Sequence, residues 1–195
     1  MKSLGSLIVA VLFLVAVSVA IFLYKRSQSP QAKPDPFDVY TGLRNLALNH
    51  TRSEIGLAPM STPTEPWGAV MDWGVERGTA TVVAFADGSA SIYLSNGGGF
   101  LGGGQSYESV RSAAKRMVAI AAEFQPQSLK TNTFPLPQRG EITFYLLTDS
   151  GVFTVSAPAV ELRSHRNPFS KLAEAGMEVV TQYRLINDPA ATKSS

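Results

Sequence analysis

Residues 91–124, SIYLSNGGGFLGGGQSYESVRSAAKRMVAIAAEF, place a strand, a loop and a helix in direct succession. Residues 91–94 have the composition of a short strand, and six of the eight residues 97–104 are glycine. From about Ser106 apolar residues recur at helical spacing. They are Val110, Ala113, Ala114, Met117, Val118, Ile120, Ala121 and Phe124. The stretch predicts a strand and an amphipathic helix joined by a loop whose glycines allow another group to approach the backbone closely.

The glycine loop is consistent with two hypotheses. Gly97-x-Gly99-x-x-Gly102 has the spacing of a dinucleotide fingerprint, and amide groups ahead of a helix can bind phosphate. The loop also imitates a Walker A motif, except that Gln105 replaces the lysine that meets the phosphates. A surrounding βαβ unit is not apparent in the sequence. The alternative is a strand-to-helix connection in which the glycines serve packing.

If the loop binds an anionic ligand, the site combines the loop with the polar face of the following helix. The candidate residues are Gly97, Gly98, Gly99, Gly102, Gly103, Gly104, Gln105, Ser106, Arg111 and Lys115. A solvated helix face explains Arg111 and Lys115 equally well. A ligand loop should present its amides to an open concavity, whereas a packing loop should be covered by side chains such as Trp67 or Trp73.

Length and composition limit the classes of function. With 195 residues and 45% hydrophobic content, the chain can form one domain with a substantial core. Its formal net charge of +2 gives no reason to expect nucleic-acid binding. Because cysteine is absent, disulfides, thiolate catalysis and cysteine-ligated metals are excluded.

An apolar run that starts at Leu4 and ends at Tyr24 is long enough to cross a hydrocarbon core of about 30 Å. We therefore predict a single-pass transmembrane anchor in residues 1–26, followed by a Pro/Ser-rich tether in residues 27–36. A cleaved signal peptide is the alternative, because Ser18-Val19-Ala20 has small residues at the spacing of a cleavage site.

The charges that flank the apolar run bear on its orientation. Lys25, Arg26 and Lys33 follow the run, whereas Lys2 precedes it. The positive-inside rule therefore favours a body on the cytoplasmic side of the membrane. An exported body remains the alternative, because a lysine in a short N-terminal tail is also typical of a signal anchor.

The sequence predicts a single α+β domain in residues 37–187 and a disordered tail in residues 188–195. The expected order is a helix at 37–49, a three-stranded meander, the helix after the loop, a hairpin and a final helix that starts near Asn167. The meander strands fall at 67–73, 79–86 and 89–94, and the hairpin strands at 141–147 and 152–156. Asp87-Gly88 is a strong hairpin signal. The result is a mainly antiparallel sheet of about five strands, and Gly176 in the last helix indicates close contact with that sheet.

Residues of the usual catalytic types are sparse. His50 and His165 are the only histidines, and neither belongs to a metal-ligand spacing, so the sequence predicts no metal site, no cofactor and no catalytic residue. His165 is expected to have a solvated or hydrogen-bonded surface role rather than to act as a catalytic base. Asp72 and Asp149 are carboxylates without an evident partner, and Asp149 fits turn chemistry. The elbow Gly-x-Ser-x-Gly of serine hydrolases is absent.

The order of elements resembles the roadblock, longin and profilin group of architectures, which implies a sheet used for scaffolding and partner contact. Four stretches are similar to a group of uncharacterised bacterial proteins, a resemblance that covers residues 67–185 and implies a bacterial source, hence the inner membrane. They are WGAVMD (67–72), DGSASIY (87–93) with its continuation to Gly104, ITFYLL (142–147) and NPFS (167–170).

We expect a membrane-anchored domain that acts as a protein-interaction or self-association module, with a protein partner or a second copy of the chain as its ligand. The alternative is a small-ligand or phosphate-binding domain, either a sensor or an enzyme, that uses residues 97–104.

Overall fold

The computed structural model describes residues 34–187. The apolar run between Leu4 and Tyr24, most of the predicted tether and the predicted tail at 188–195 lie outside the described residues. Within the described part, no helix is both long and apolar enough to cross a membrane. The described residues from Asp35 onward belong to one compact unit.

An antiparallel sheet of seven strands forms the middle layer, in the order β4-β3-β2-β1-β6-β7-β5. The strands are β1 (Gly68–Val75), β2 (Gly78–Phe85), β3 (Ala90–Leu94), β4 (Gly99–Phe100), β5 (Leu129–Thr131), β6 (Glu141–Thr148) and β7 (Gly151–Pro158). The α+β class and the antiparallel meander and hairpin are confirmed. The strand number was predicted too low, because β4 and β5 contain only 2 and 3 residues and are too short to show an alternating pattern.

Four α-helices lie within residues 34–187: α1 (Pro36–Asn49), α2 (Glu108–Phe124), α3 (Ala159–Arg163) and α4 (Ser170–Asn187). The Asp35 carboxylate caps α1 by accepting a 2.7 Å hydrogen bond from the Phe37 N–H, so Pro36 belongs to the helix and not to the tether. The last helix begins later than expected, because Asn167 caps a turn that precedes it by bonding the Phe169 N–H. The one-turn helix α3 was not predicted.

The face of the sheet that carries Met71 and Phe144 is covered by α2, α3 and α4. All eight apolar residues of the predicted α2 stripe are buried. The close contact expected at Gly176 is confirmed, since a Cβ there would lie 2.6 Å from the Met71 sulfur. The first core of the domain therefore lies between the sheet and this helical layer.

The opposite face is covered by α1 and the segment that follows it. Tyr40 and Leu48 of α1 pack with Val83 and Tyr145 of the sheet in a second core. The sheet is thus buried on both sides, which explains why residues 142–148 of β6 are all buried and do not alternate with exposed ones.

The buried hydroxyl of Tyr145 makes the free energy of unfolding decrease at alkaline pH. Burial raises the pKa of Tyr145 to about 12, against about 10 in an unfolded chain. Because the folded pKa is the higher one, this contribution is fully present below pH 10 and is lost as the pH rises toward 12. A rise of this size corresponds to at most a few kcal/mol, on the order of 1.4 kcal/mol for each pKa unit.

We expect the free energy of unfolding, measured by denaturant titration between pH 8 and pH 12, to fall less steeply above pH 10 in Tyr145→Phe. The variant should lose about 1 kcal/mol at neutral pH, because the hydroxyl donates a 2.8 Å hydrogen bond to the Pro135 carbonyl. Equal slopes in the two proteins would contradict this assignment.

Candidate functional site

The first half of the glycine loop is a tight turn followed by the edge strand β4. Gly97 and Gly98 have φ values of 102° and 87°, which side chains other than glycine rarely adopt. The Gly97 N–H donates to the Leu94 carbonyl at 3.0 Å. A Cβ on Gly99 would overlap the Ile92 carbonyl oxygen. These glycines therefore return the chain alongside β3, and their positions follow from backbone packing.

The second half of the loop is a 3₁₀ turn that packs beneath Tyr183 of α4. The Gly103 N–H donates to the Tyr183 hydroxyl at 2.9 Å, and this hydroxyl donates to the Ala90 carbonyl at 2.7 Å. A Cβ on Gly103 would lie 2.5 Å from the Tyr183 ring, and a Cβ on Gly104 would overlap the Gly88 carbonyl oxygen. Burial raises the pKa of Tyr183, and the Gly103 N–H opposes that rise. Tyr183 thus joins the loop to the last helix and to β3.

The two predicted cations occupy different positions. Arg111 is directed at the loop, where its Nε donates to the Gly104 carbonyl at 2.9 Å and its Nη2 donates to the Gln105 carbonyl at 3.1 Å. Its Nη1 donates to Glu108 at 3.0 Å. Lys115 is exposed, with its Cε beside Gly88. The structure therefore brings Arg111 to the loop as a donor to backbone carbonyls.

Ser106 closes the 3₁₀ turn, since its N–H donates to the Gly103 carbonyl at 3.2 Å. The expectation that a packed loop would be covered by Trp67 or Trp73 is wrong. Trp67 stacks on Phe85 in the second core, and Trp73 packs against the first core near α4. The side chain that covers the loop is Tyr183, which lies about 80 residues farther along the chain and gives no local sequence signal.

Three large apolar side chains are exposed around the loop: Leu101 at 66%, Tyr107 at 46% and Phe100 at 38%. We call these three residues the apolar rim. Phe100 is held in place by stacking on Tyr183, with ring centroids 5.1 Å apart and planes 15° from parallel. The sequence signal for the rim is a pair of large apolar residues, Phe100 and Leu101, inside a run of glycines.

The carboxylate of Asp72 does have a partner, contrary to the sequence interpretation. Arg44 of α1 donates to it from Nε at 2.8 Å and from Nη2 at 2.5 Å, and Thr81 donates at 2.5 Å. Arg44 also bonds the Phe134 carbonyl at 3.0 Å. Burial raises the pKa of Asp72, and the Arg44 guanidinium offsets part of that rise. This buried pair fastens α1 and the chain before β6 to the sheet.

Asp149 also has a partner, because Arg52 donates from Nε to both of its carboxylate oxygens at 3.0 Å. The pair lies in a groove of about 430 Å³ that His50, Asn132 and Trp67 help to line. The indole N–H of Trp67 is buried without a hydrogen-bond partner in the described structure. The structure thus adds an ion pair to the turn role that the sequence indicates for Asp149.

Residues 34–187 contain no group of three metal-ligating side chains. Comparison of the chain with protein-family models, curated proteins and solved structures found no match.

Proposed function

We propose that this protein is a membrane-anchored interaction module that self-associates through the apolar rim. The anchor is the apolar run from Leu4 to Tyr24, which holds the domain on the cytoplasmic face of the membrane. The partner is a second copy of the chain. The observation that carries the proposal is the exposure of Leu101, Phe100 and Tyr107 on a loop that Tyr183 holds in a fixed conformation.

The hydrogen bonds of the loop support protein contact over phosphate binding. The N–H groups of residues 97, 102, 103, 105 and 106 all donate within the domain. Arg111 uses Nε and both terminal nitrogens on Gly104, Gln105 and Glu108. A phosphate would have to displace these bonds, whereas an apolar surface would leave them intact. Five loop amides and the Arg111 side chain are therefore already engaged, and the loop exposes the hydrocarbon side chains of Phe100 and Leu101.

The chemistry of the rim suits contact with an identical rim. In a two-fold contact each patch faces its own copy, so a charged patch would repel itself. The three rim side chains carry no charge. The rim consists of only three partly exposed side chains in each copy, so a contact between two rims buries less than the roughly 1,200 Å² of stable interfaces. We therefore expect weak association in free solution. Attachment to one membrane raises the effective concentration of neighbouring copies and compensates for this weakness.

Leu101→Asp tests the proposal. Energy transfer between labelled copies of the full chain in lipid bilayers measures the association constant of the dimer. We expect this constant to fall at least tenfold in Leu101→Asp. Removing a leucine from an apolar contact costs about 1.5–3 kcal/mol, and the change occurs in both copies.

Leu129→Asp is the matched control. Leu129 lies on β5, at the opposite edge of the sheet, and is 76% exposed. The control should leave the association constant unchanged. Equal losses in both variants, or no loss in Leu101→Asp, would refute contact through the rim.

A further inference from the structure

A cavity of about 200 Å³ lies on the side of the sheet away from α1, between α3, the first turns of α4 and the strands β1 and β6. Apolar side chains line most of it: Trp73, Ile142, Ala159, Leu162, Ala173 and Met177. Apolar cavities of about 150 Å³ stay dry and bind benzene in other proteins. The volume therefore holds one aromatic ring or a short hydrocarbon chain.

The mouth of the cavity is polar and carries two basic side chains. Arg163, His165 and Glu174 contribute to the lining. The Nδ1 atom of His165 lies 2.8 Å from the Glu174 carboxylate. Among residues 34–187, no carboxylate lies within ion-pair distance of Arg163. At the mouth, His165 therefore already contacts a carboxylate, whereas Arg163 forms no ion pair within residues 34–187.

His165 occupies a position where glycine would fit better. It follows α3 with φ at 55°, the only positive φ of a residue other than glycine in the described part of the chain. Its N–H donates to the Leu162 carbonyl at 3.3 Å, and the next N–H donates from Arg166 to the Glu161 carbonyl at 3.2 Å. This is the Schellman pattern, in which glycine usually occupies the left-handed position. A side chain in that conformation is strained, so a role for the imidazole would explain its presence.

We propose that the cavity binds a small monocarboxylic acid, with its apolar body in the cavity and its carboxylate at the mouth between His165 and Arg163. The contact with Glu174 shows that the His165 imidazole pairs with a carboxylate, and the ligand carboxylate takes that position when the Glu174 side chain, which is 58% exposed, turns out to solvent. The charge of Arg163 makes an anionic head preferable to a neutral one. The apolar lining selects a ring or a chain of about six carbons and excludes free phosphate.

The cavity offers a specific readout in the full chain. The protein contains two tryptophans, so labelling with ¹⁵N-tryptophan gives two indole resonances. Trp73 lines the cavity, whereas Trp67 belongs to the second core on the other face of the sheet. We expect benzoate or hexanoate, added to the full chain in lipid nanodiscs, to shift the Trp73 resonance saturably and to leave that of Trp67 in place. Comparing the two acids distinguishes a ring ligand from a chain ligand.

Separate variants test the apolar cavity and the carboxylate-binding mouth. Ala173→Leu fills the cavity and should abolish the Trp73 shift, whereas Val160→Leu, on the exposed side of α3, should not change it. If Ala173→Leu fails to fold, Ala159→Val fills the same space with less added volume. His165→Gly keeps the backbone turn and should weaken benzoate binding at least fivefold while leaving benzyl alcohol binding unchanged.

Binding that survives both cavity-filling variants, or no saturable Trp73 shift with either acid, would overturn the site. Equal binding of benzoate and benzyl alcohol, with no effect of His165→Gly, would overturn the carboxylate assignment.

Discussion

Asp72→Asn is expected to destabilise the domain by about 3–5 kcal/mol, the usual cost of breaking a buried ion pair by removing one partner. Asp72 is completely buried, and Arg44 is 4% exposed. The asparagine keeps the shape and its carbonyl oxygen can accept from Arg44 in place of Oδ2, with its NH₂ toward the Thr81 hydroxyl, but it carries no negative charge. Because arginine does not deprotonate in proteins, Arg44 stays charged and uncompensated at every accessible pH. Denaturant titration of the variant and the parent protein measures the loss, and a cost below about 1 kcal/mol would contradict it.

The reciprocal variant, Arg44→Met, should cost less at low pH than at neutral pH. Burial raises the pKa of Asp72, and without Arg44 that rise is unopposed. The protonated carboxyl is then the stable buried form. Since the folded pKa lies above the unfolded value near 3.9, this contribution is fully present below that value and is lost as the pH rises through the folded pKa. The difference from the parent protein should therefore grow between pH 4 and pH 8.

Replacing both Arg44 and Asp72 distinguishes the net contribution of the ion pair to the free energy of unfolding from the cost of burying one unpaired charge. We expect Arg44→Met combined with Asp72→Val to recover most of the stability lost in Asp72→Asn, because apolar replacements of buried ion pairs are often neutral or better. Thr81 and Tyr40 can still bond each other through their hydroxyl groups, which lie 2.9 Å apart. A double variant as unstable as Asp72→Asn would show that the packing of α1 depends on the charges themselves.

Gly104→Ala is expected to cost about 3 kcal/mol or more, at the upper end for overpacking, because its Cβ would overlap the Gly88 carbonyl oxygen of the neighbouring turn. The backbone cannot move away without disturbing the hairpin between β2 and β3. The thermal midpoint should fall by roughly 6–12 °C for a body of this size.

Gly102→Ala is the matched control for that experiment. A Cβ at Gly102 has no neighbour within 4 Å, but its φ of 67° is left-handed. Only the conformational cost of about 1–2 kcal/mol applies there. If Gly102→Ala proved the more damaging of the two, close packing would not explain the glycines of this loop.

Local patterns predicted the elements of the fold well. The spacing of apolar residues identified the buried face of α2, and Asp87-Gly88 located the hairpin because glycine supplies a φ of 92° there and the Asp87 carboxylate accepts from the Ser89 N–H at 2.8 Å. Such signals depend on neighbouring residues and are therefore visible in the sequence. The edge strands were missed because pairing with β3 and β7 creates them, and two or three residues carry no period of their own.

The site was harder to predict because its contacts join distant parts of the chain. Nothing near Gly103 indicates that Tyr183 will cover it, and nothing near Asp72 indicates Arg44, which lies 28 residues earlier. The loop was identified correctly as a place of close approach. The identity of the group that approaches depended on the packing of α4 across the sheet, which no local pattern encodes.

Cross-linking in the membrane tests self-association most directly, because the natural sequence contains no cysteine. Gln105→Cys places one thiol beside the apolar rim, and Lys130→Cys places one on the opposite edge strand; both positions are exposed. In bilayers under mild oxidation, contact through the rim should give a disulfide-linked dimer with Gln105→Cys and little with Lys130→Cys, and Leu101→Asp should suppress it. Equal cross-linking at both positions, or none at Gln105→Cys, would contradict the proposed contact.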